Sequence, residues 1–265
     1  YVIEELKRND FPIELAFLPF IESSYDPFSI SSSGAVGLWQ IMPKTAELLG
    51  LRENWWIEER HDPYKSTDAA IRYIDYLYKR FNKDIYLSLV AYNAGPTFTS
   101  KAIQRNTRRT STLSYKDLPL SAQTRNYIPK FLALIELINN NEKYNIDLPE
   151  IPYSKVVDKI SFEEQIEILN FSDFLNLKPE LLYKLNAGYT KWATDPNMVS
   201  TFYIPIENKI KYERNGQEYI QSQKINWISH DVTRGESLWV LAKKYRTRID
   251  IIRQVNQLES DTLLI

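Results

Sequence analysis

Apolar side chains in this chain recur mostly at helical spacing. Residues 66–81 are the plainest case: Ala69, Ala70, Tyr73, Ile74, Leu77 and Tyr78 share one face, which predicts an amphipathic helix. Asp84 stands where a cap is needed for the next helix, which runs to Tyr92. Residues 44–49 read as a short helix stopped by Gly50, followed by a loop over 51–62 that holds Trp55 and Trp56. Residues 98–106 and 124–139 read as two more helices, and Val2, Ile3 and Leu6 open the chain in another. The segment 11–22 is apolar apart from Glu14 and Glu22. Asp10 is expected to cap it as one helix with Phe11 and Pro12 in its first turn. Ile13, Phe17 and Phe20 are expected to form its buried face, and Pro19 to bend it.

The pattern changes near residue 150, where an asparagine run at 139–141 and prolines 149 and 152 mark a boundary. Beyond it, 162–169 and 171–177 read as helices, and 204–206 and 219–220 as strands. From His230 a strand, Gly235, a helix from Ser237, a helix over 248–255, Asn256 and apolar 263–265 give a βααβ outline. A shift of seventy positions sets Phe162 under Val232, Ile168 under Leu238 and Asn186 under Asn256, so 158–207 is read as a degenerate copy of that outline. The expected organisation is a mainly α domain over 1–150, a linker with a degenerate module over 151–228, and a small α+β module over 229–265 that lacks its closing strand.

The chemistry concentrates at Glu22. The helix must stop there, because Ser23, Ser24, Tyr25, Asp26 and Pro27 follow. A carboxyl at the end of a buried helix is poorly hydrated, which disfavours its charged form and raises its pKa. Such a group holds a proton near neutral pH and can deliver it to a leaving group. Glycine is scarce, with seven in the chain, yet Gly34 and Gly37 lie within four positions of each other. The backbone there must turn sharply or approach something closely.

Composition narrows the alternatives. The chain has 265 residues, 43% hydrophobic and 25% charged, with net charge −1. These are ordinary values for a globular protein and argue against a general nucleic-acid binder. There is no cysteine, and the two histidines, His61 and His230, supply neither a zinc ligand set nor a convincing nucleophile–base pair. No phosphate-binding Gly-Lys-Ser/Thr motif is present, and no cofactor is implied. Between Lys101 and Lys130 seven basic residues, Arg105, Arg108 and Arg109 among them, face one acid, Asp117. They are either a solvated face or a groove wall for an anionic polymer. If the chemistry were glycoside cleavage, it would commonly use two carboxylates. Asp26, Glu47, Asp62 and Asp68 are candidates for the second.

Three blocks carry a family resemblance: Glu22-Ser23 within IESSYDP, GLWQIMP at 37–43 and AYNAGP at 91–96, with a weaker fourth, TRNYIPK at 124–130. Their order and spacing resemble the lytic transglycosylases of the lysozyme-like (goose-type, soluble transglycosylase-like) fold. That resemblance implies a single catalytic Glu22, first acid and then base, cleaving the bond between N-acetylmuramic acid and N-acetylglucosamine and closing a 1,6-anhydro ring. It implies substrate contacts from Ser23, Gln40, Met42, Tyr92, Asn93 and Tyr127, with the Tyr92 hydroxyl near Glu22. Trp39, Trp55 and Trp56 are open between sugar stacking and core packing. The C-terminal outline resembles a LysM module, which implies glycan contacts at Gly235, Glu236, Ser237 and Asn256. The implied partner is peptidoglycan and the implied location the cell envelope: the periplasm, with a lipid anchor to the outer membrane as one form. Tyr1 opens directly on a helix, so any export signal or anchor is expected upstream of it. Two rivals stay open: a hydrolase on the same fold, and a non-catalytic wall-binding protein.

Overall fold

A computed structural model describes residues 1–106, 114–151, 153–223, 225 and 227–258. Helix α1 (Val2–Arg8) is followed by Asp10 in a left-handed conformation, so Asp10 caps nothing. Residues 13–22 do not form one helix. Ile13–Phe17 is a 3-10 turn, and α2 (Leu18–Ser23) starts anew with Pro19 in its first turn. Proline lacks the amide a continuing helix needs and its ring collides with the carbonyl four residues back, so the chain restarts there instead of bending. The rotation changes the buried face. Leu15, Ala16 and Leu18 point inward, while Ile13 and Phe20 are 46% and 51% exposed. These two line a surface groove of about 630 Å³ with Phe17 and Tyr25.

The next helices follow the pattern. They are α3 (Pro43–Leu49), stopped by left-handed Gly50; α4 (Pro63–Arg80); α5 (Ile85–Ala94); α6 (Pro96–Asn106); and α7 (Ala122–Asn139). The Asp62 carboxylate accepts the Tyr64 and Lys65 amides, and Asp84 accepts that of Leu87, so α4 and α5 both start on side-chain caps. Helix α5 buries Leu87, Leu89, Val90 and Ala91 and runs through the middle of the first core. Leu6, Leu15, Leu18, Trp39, Ile71, Ile74, Leu77 and Ile128 surround it.

A second core begins at β1 (Val157–Phe162). Helices α8 (Ile168–Leu175) and α9 (Pro179–Leu185) follow, then β2 (Ser200–Pro205), which pairs antiparallel with β1, Val157 opposite Pro205. Phe162 therefore ends a strand and does not open a helix. Residues 219–220 lie in α10 (Ile206–Ser222), where Ile220 is the buried contact. Both misreadings concern short apolar runs, where helix and strand spacing cannot be told apart. Phe162, Phe171, Phe202 and Tyr219 interlock in this core at ring separations between 5.6 and 6.3 Å.

The two cores meet at the loop between α3 and α4. The Glu58 amide donates to the Gly188 carbonyl at 2.8 Å, and the Thr190 amide to the Trp56 carbonyl at 2.9 Å. Asn54 donates to Asp195, the Trp56 ring meets Trp192 and Trp227 edge-on, and Tyr64 stacks flat on Tyr203 at 3.4 Å. Last come α11 (Leu238–Tyr245), capped by Ser237, and α12 (Ile249–Asn256). The apolar residues 263–265 lie outside the described residues, and the strand expected from His230 does not form, because 230–237 are turn and loop. Among the described residues no helix is long and apolar enough to cross a membrane.

Candidate active site

Glu22 occupies the last turn of α2. Ser24 and Tyr25, both left-handed, swing the chain away immediately after it. The carboxyl is therefore held against the core while its own loop leaves. Burial pushes its pKa up to about 7. One contact acts in the opposite sense, a hydrogen bond from the Tyr127 hydroxyl to Glu22 Oε1 at 2.5 Å. Tyr127 is itself buried on α7, and burial together with the nearby Glu22 charge holds its phenol well above the usual range. It remains a donor throughout the pH range in which Glu22 titrates. No other carboxylate contributes to the Glu22 shift.

The structure rearranges the expected supporting cast. The Tyr92 hydroxyl does not bond Glu22. It donates to the Trp39 carbonyl at 2.7 Å, although it lies near enough to feel the Glu22 charge. Ser23 also turns away, donating from Oγ to the Leu38 carbonyl at 2.9 Å and the Pro19 carbonyl at 3.2 Å. It fastens α2 to the 37–43 segment. Gln40, itself left-handed, donates from Nε2 to the carbonyls of Gly37 and Ser29, so its nitrogen braces its own loop. Met42 is exposed, and the side chain of half-buried Asn93 has no hydrogen-bond partner among the described residues. Trp39 is fully buried with its indole nitrogen on Thr67 Oγ1, which settles it as packing.

Arg60 was not singled out in the sequence, yet it holds this loop in place. Its guanidinium donates to the carbonyls of Gly34 at 3.1 Å and Ile41 at 3.4 Å while paired with Glu58. His61 Nδ1 lies 2.6 Å from the Pro27 carbonyl. The only sequence signal was an unusual density of charge in the loop, Glu58-Glu59-Arg60-His61-Asp62. The other carboxylates are engaged elsewhere or exposed. Asp26 accepts the Phe28 amide, Asp62 caps α4, Asp68 accepts the Tyr1 hydroxyl, and Glu47 faces solvent on α3. In the basic stretch Arg105 ends α6, whereas Arg108 and Arg109 lie outside the described residues.

The four residues expected to contact glycan near the C-terminus form turns and caps. Glu236 accepts the Thr233 amide and pairs with His230 Nε2, both at 2.8 Å, which holds its carboxyl down at about 2. Ser237 caps α11, Asn256 donates to the Ile252 carbonyl, and Gly235 takes a positive φ that favours glycine.

Residues 2–114 match the Transglycosylase SLT domain family, and residues 230–265 match the LysM domain family. The chain is 32% identical over 202 residues to membrane-bound lytic murein transglycosylase D of Escherichia coli, covering 75% of this chain and 45% of that protein. It is 35% identical over 98 residues to membrane-bound lytic murein transglycosylase E of Buchnera aphidicola, covering 33% of this chain and 44% of that one. The chain thus spans less than half the length of either relative. Among solved structures, the 70 kDa soluble lytic transglycosylase of Escherichia coli aligns with TM-score 0.42 and 25% identity, over 50% of this chain and 22% of that one.

Proposed function

With a transglycosylase SLT domain over residues 2–114 and a LysM domain over 230–265, we propose that this chain is a peptidoglycan lytic transglycosylase with Glu22 as its one catalytic carboxyl. The supporting observation is that Glu22 is raised to about 7 by desolvation, with no acid among the causes of that shift and with Tyr127 as its donor, while Asp62, also raised by burial, is engaged in capping α4. Protonated Glu22 gives its proton to the glycosidic oxygen between N-acetylmuramic acid and N-acetylglucosamine, and the C1–O bond breaks. The resulting carboxylate then takes the proton of the muramic C6 hydroxyl, whose oxygen bonds C1. The 1,6-anhydro ring closes, Glu22 ends protonated, and no water is consumed. The attacking oxygen belongs to the same sugar, so proximity replaces an activated water. The 2-acetamido group helps to stabilise the oxocarbenium-like centre.

In this reading Asn93, Gln40 through its carbonyl, and Met42 meet the substrate. Tyr92 and Ser23 hold the walls through Trp39 and Leu38. The 230–265 module supplies glycan affinity. The β1–α8–α9–β2 order supports reading 158–207 as a degenerate LysM-like unit, within an organisation of 1–150, 151–228 and 229–265. The working place is the cell envelope, on the periplasmic side where peptidoglycan lies.

The test is mass spectrometry of products released from purified murein. Products one water lighter than reducing muropeptides, ending in 1,6-anhydromuramic acid, are expected; reducing ends would mean a hydrolase. A second experiment addresses Tyr127. Tyr127→Phe removes the hydrogen bond that lowers the Glu22 pKa, so Glu22 keeps its proton to higher pH. The alkaline limb of the pH–rate profile is expected to move up by about one unit, and the maximal rate to fall roughly tenfold. An unmoved limb would show that Tyr127 does not act through Glu22.

A further inference from the structure

Trp55 lies in the loop that joins the two cores, and its role in packing is minor: it remains 38% exposed. The Thr190 hydroxyl donates to its carbonyl at 3.3 Å, and Lys191 Nζ sits 4.1 Å from the centre of its ring. The indole is thereby held in one orientation with surface still available. It forms one wall of a cavity of about 380 Å³. The opposite wall is α12 and the residues just after it, Asp250, Arg253, Gln254, Gln257 and Leu258. That volume falls in the range of small-molecule sites. The lining couples one aromatic face with two primary amides. The Gln254 and Gln257 side chains are exposed and have no hydrogen-bond partner among the described residues. Asp250 is held in place by Arg248.

This combination suits a sugar ring. Axial C–H groups of a pyranose stack on an indole, and side-chain amides satisfy hydroxyl and N-acetyl groups at its edge. A purely apolar ligand would leave the amides unsatisfied, and a strongly charged one would meet an acid and a base side by side. We propose that Trp55 and α12 together form a hexosamine subsite shared between the transglycosylase domain and the LysM module. One ring of a bound glycan strand is clamped across the junction, and the module is thereby fixed to the catalytic unit. The choice of an N-acetylated sugar rests on the function proposed above; the shared cavity does not.

The test uses the full chain carrying Glu22→Gln, which prevents turnover, and a soluble N-acetylglucosamine tetramer as probe. Binding is followed by calorimetry and indole fluorescence. Trp55→Ala and Gln254→Ala are each expected to weaken the tetramer about tenfold, in line with the loss of one stacked ring or one polar clamp. Trp55→Phe should restore most of the affinity by keeping a flat face. Both positions are partly or fully exposed, so the variants should melt with the parent. Unchanged affinity in Trp55→Ala would overturn the shared subsite, whether or not Gln254→Ala binds more weakly. No binding of the tetramer by the parent would also overturn it. Neither result would touch the transglycosylase reading, which stands or falls on the anhydro ends released by the chain with Glu22 intact.

Discussion

Glu22→Gln is expected to abolish release of anhydro-muropeptides, by at least about a thousandfold, while sedimentation with murein persists. General acid–base groups contribute roughly a hundred- to ten-thousandfold. In the proposed mechanism Glu22 acts twice, as acid and then as base, and no acid is among the causes of its pKa shift. The amide of Gln offers neither a transferable proton nor a base. Persistent cleavage would end the mechanism given above. The same substitution has an opposite effect on stability, which makes it a sharper test. The Glu22 carboxyl binds its proton more tightly in the folded chain, at about 7, than in the unfolded chain, near the ordinary 4.5. Folded protein therefore holds more protons between those values. The contribution of Glu22 to stability is fully present below pH 4.5 and is lost as pH rises through 7, by about 3 kcal/mol in order of magnitude. Glutamine fills the same space, keeps an oxygen for Tyr127 and never ionises. The variant should melt close to the parent at pH 5 and above it at pH 8. Equal melting at pH 8 would show that Glu22 is not desolvated.

Gly37→Ala is expected to unfold or distort the first core more than any surface change. A Cβ there would lie 2.0 Å from the Arg60 carbonyl oxygen, and the backbone φ is +78°. Both walls of the clash are main chain, so no rotamer change relieves it. The left-handed conformation alone costs about 1 kcal/mol for alanine, and the collision should bring the total to at least about 3 kcal/mol. Gly34 supplies the contrast. Its φ is +83° but nothing lies within 4 Å, so Gly34→Ala should cost only the conformational part. Urea melts of the two variants separate the effects: similar midpoints would mean that Gly37 does not abut Arg60 in solution. Murein cleavage should fall with Gly37→Ala as well, because Arg60 and Gly37 set the path from Gly34 to Ile41.

These two sites show what the sequence made legible. Scarce glycines pointed to a tight backbone approach, and a carboxylate at a helix end pointed to an acid with a raised pKa. The periodic helix α4 and the Asp84 cap of α5 were equally plain, because local spacing and local hydrogen bonds determine them. The pairing of Tyr127 with Glu22 across 105 positions was not legible as a contact. Two tyrosines in comparable contexts competed for the role, and only the docking of α7 decides which hydroxyl reaches. The bonds of Ser23 Oγ and Gln40 Nε2 to loop carbonyls were hidden for a related reason. A polar side chain beside a sharp loop has unsatisfied carbonyls within reach, and those claim it. The split at Pro19 was visible as a proline, but an apolar segment on both sides concealed that the helix restarts.

The chain changes character near residue 150 in sequence, and the two cores on either side of that point share a contact surface. Trp56, Tyr64 and the Glu58 backbone are covered by Trp192, Tyr203 and Gly188. The loop so covered also carries Arg60, which secures the carbonyls of Gly34 and Ile41. A shortened enzyme cut at the sequence boundary would expose an aromatic surface and leave a wall of its own cleft unsupported. The smallest fragment worth expressing therefore runs past α10 and keeps Trp227, which also lies against Trp56. Inheritance would feel the same constraint: recombination at residue 150 would separate two pieces that have to be kept together.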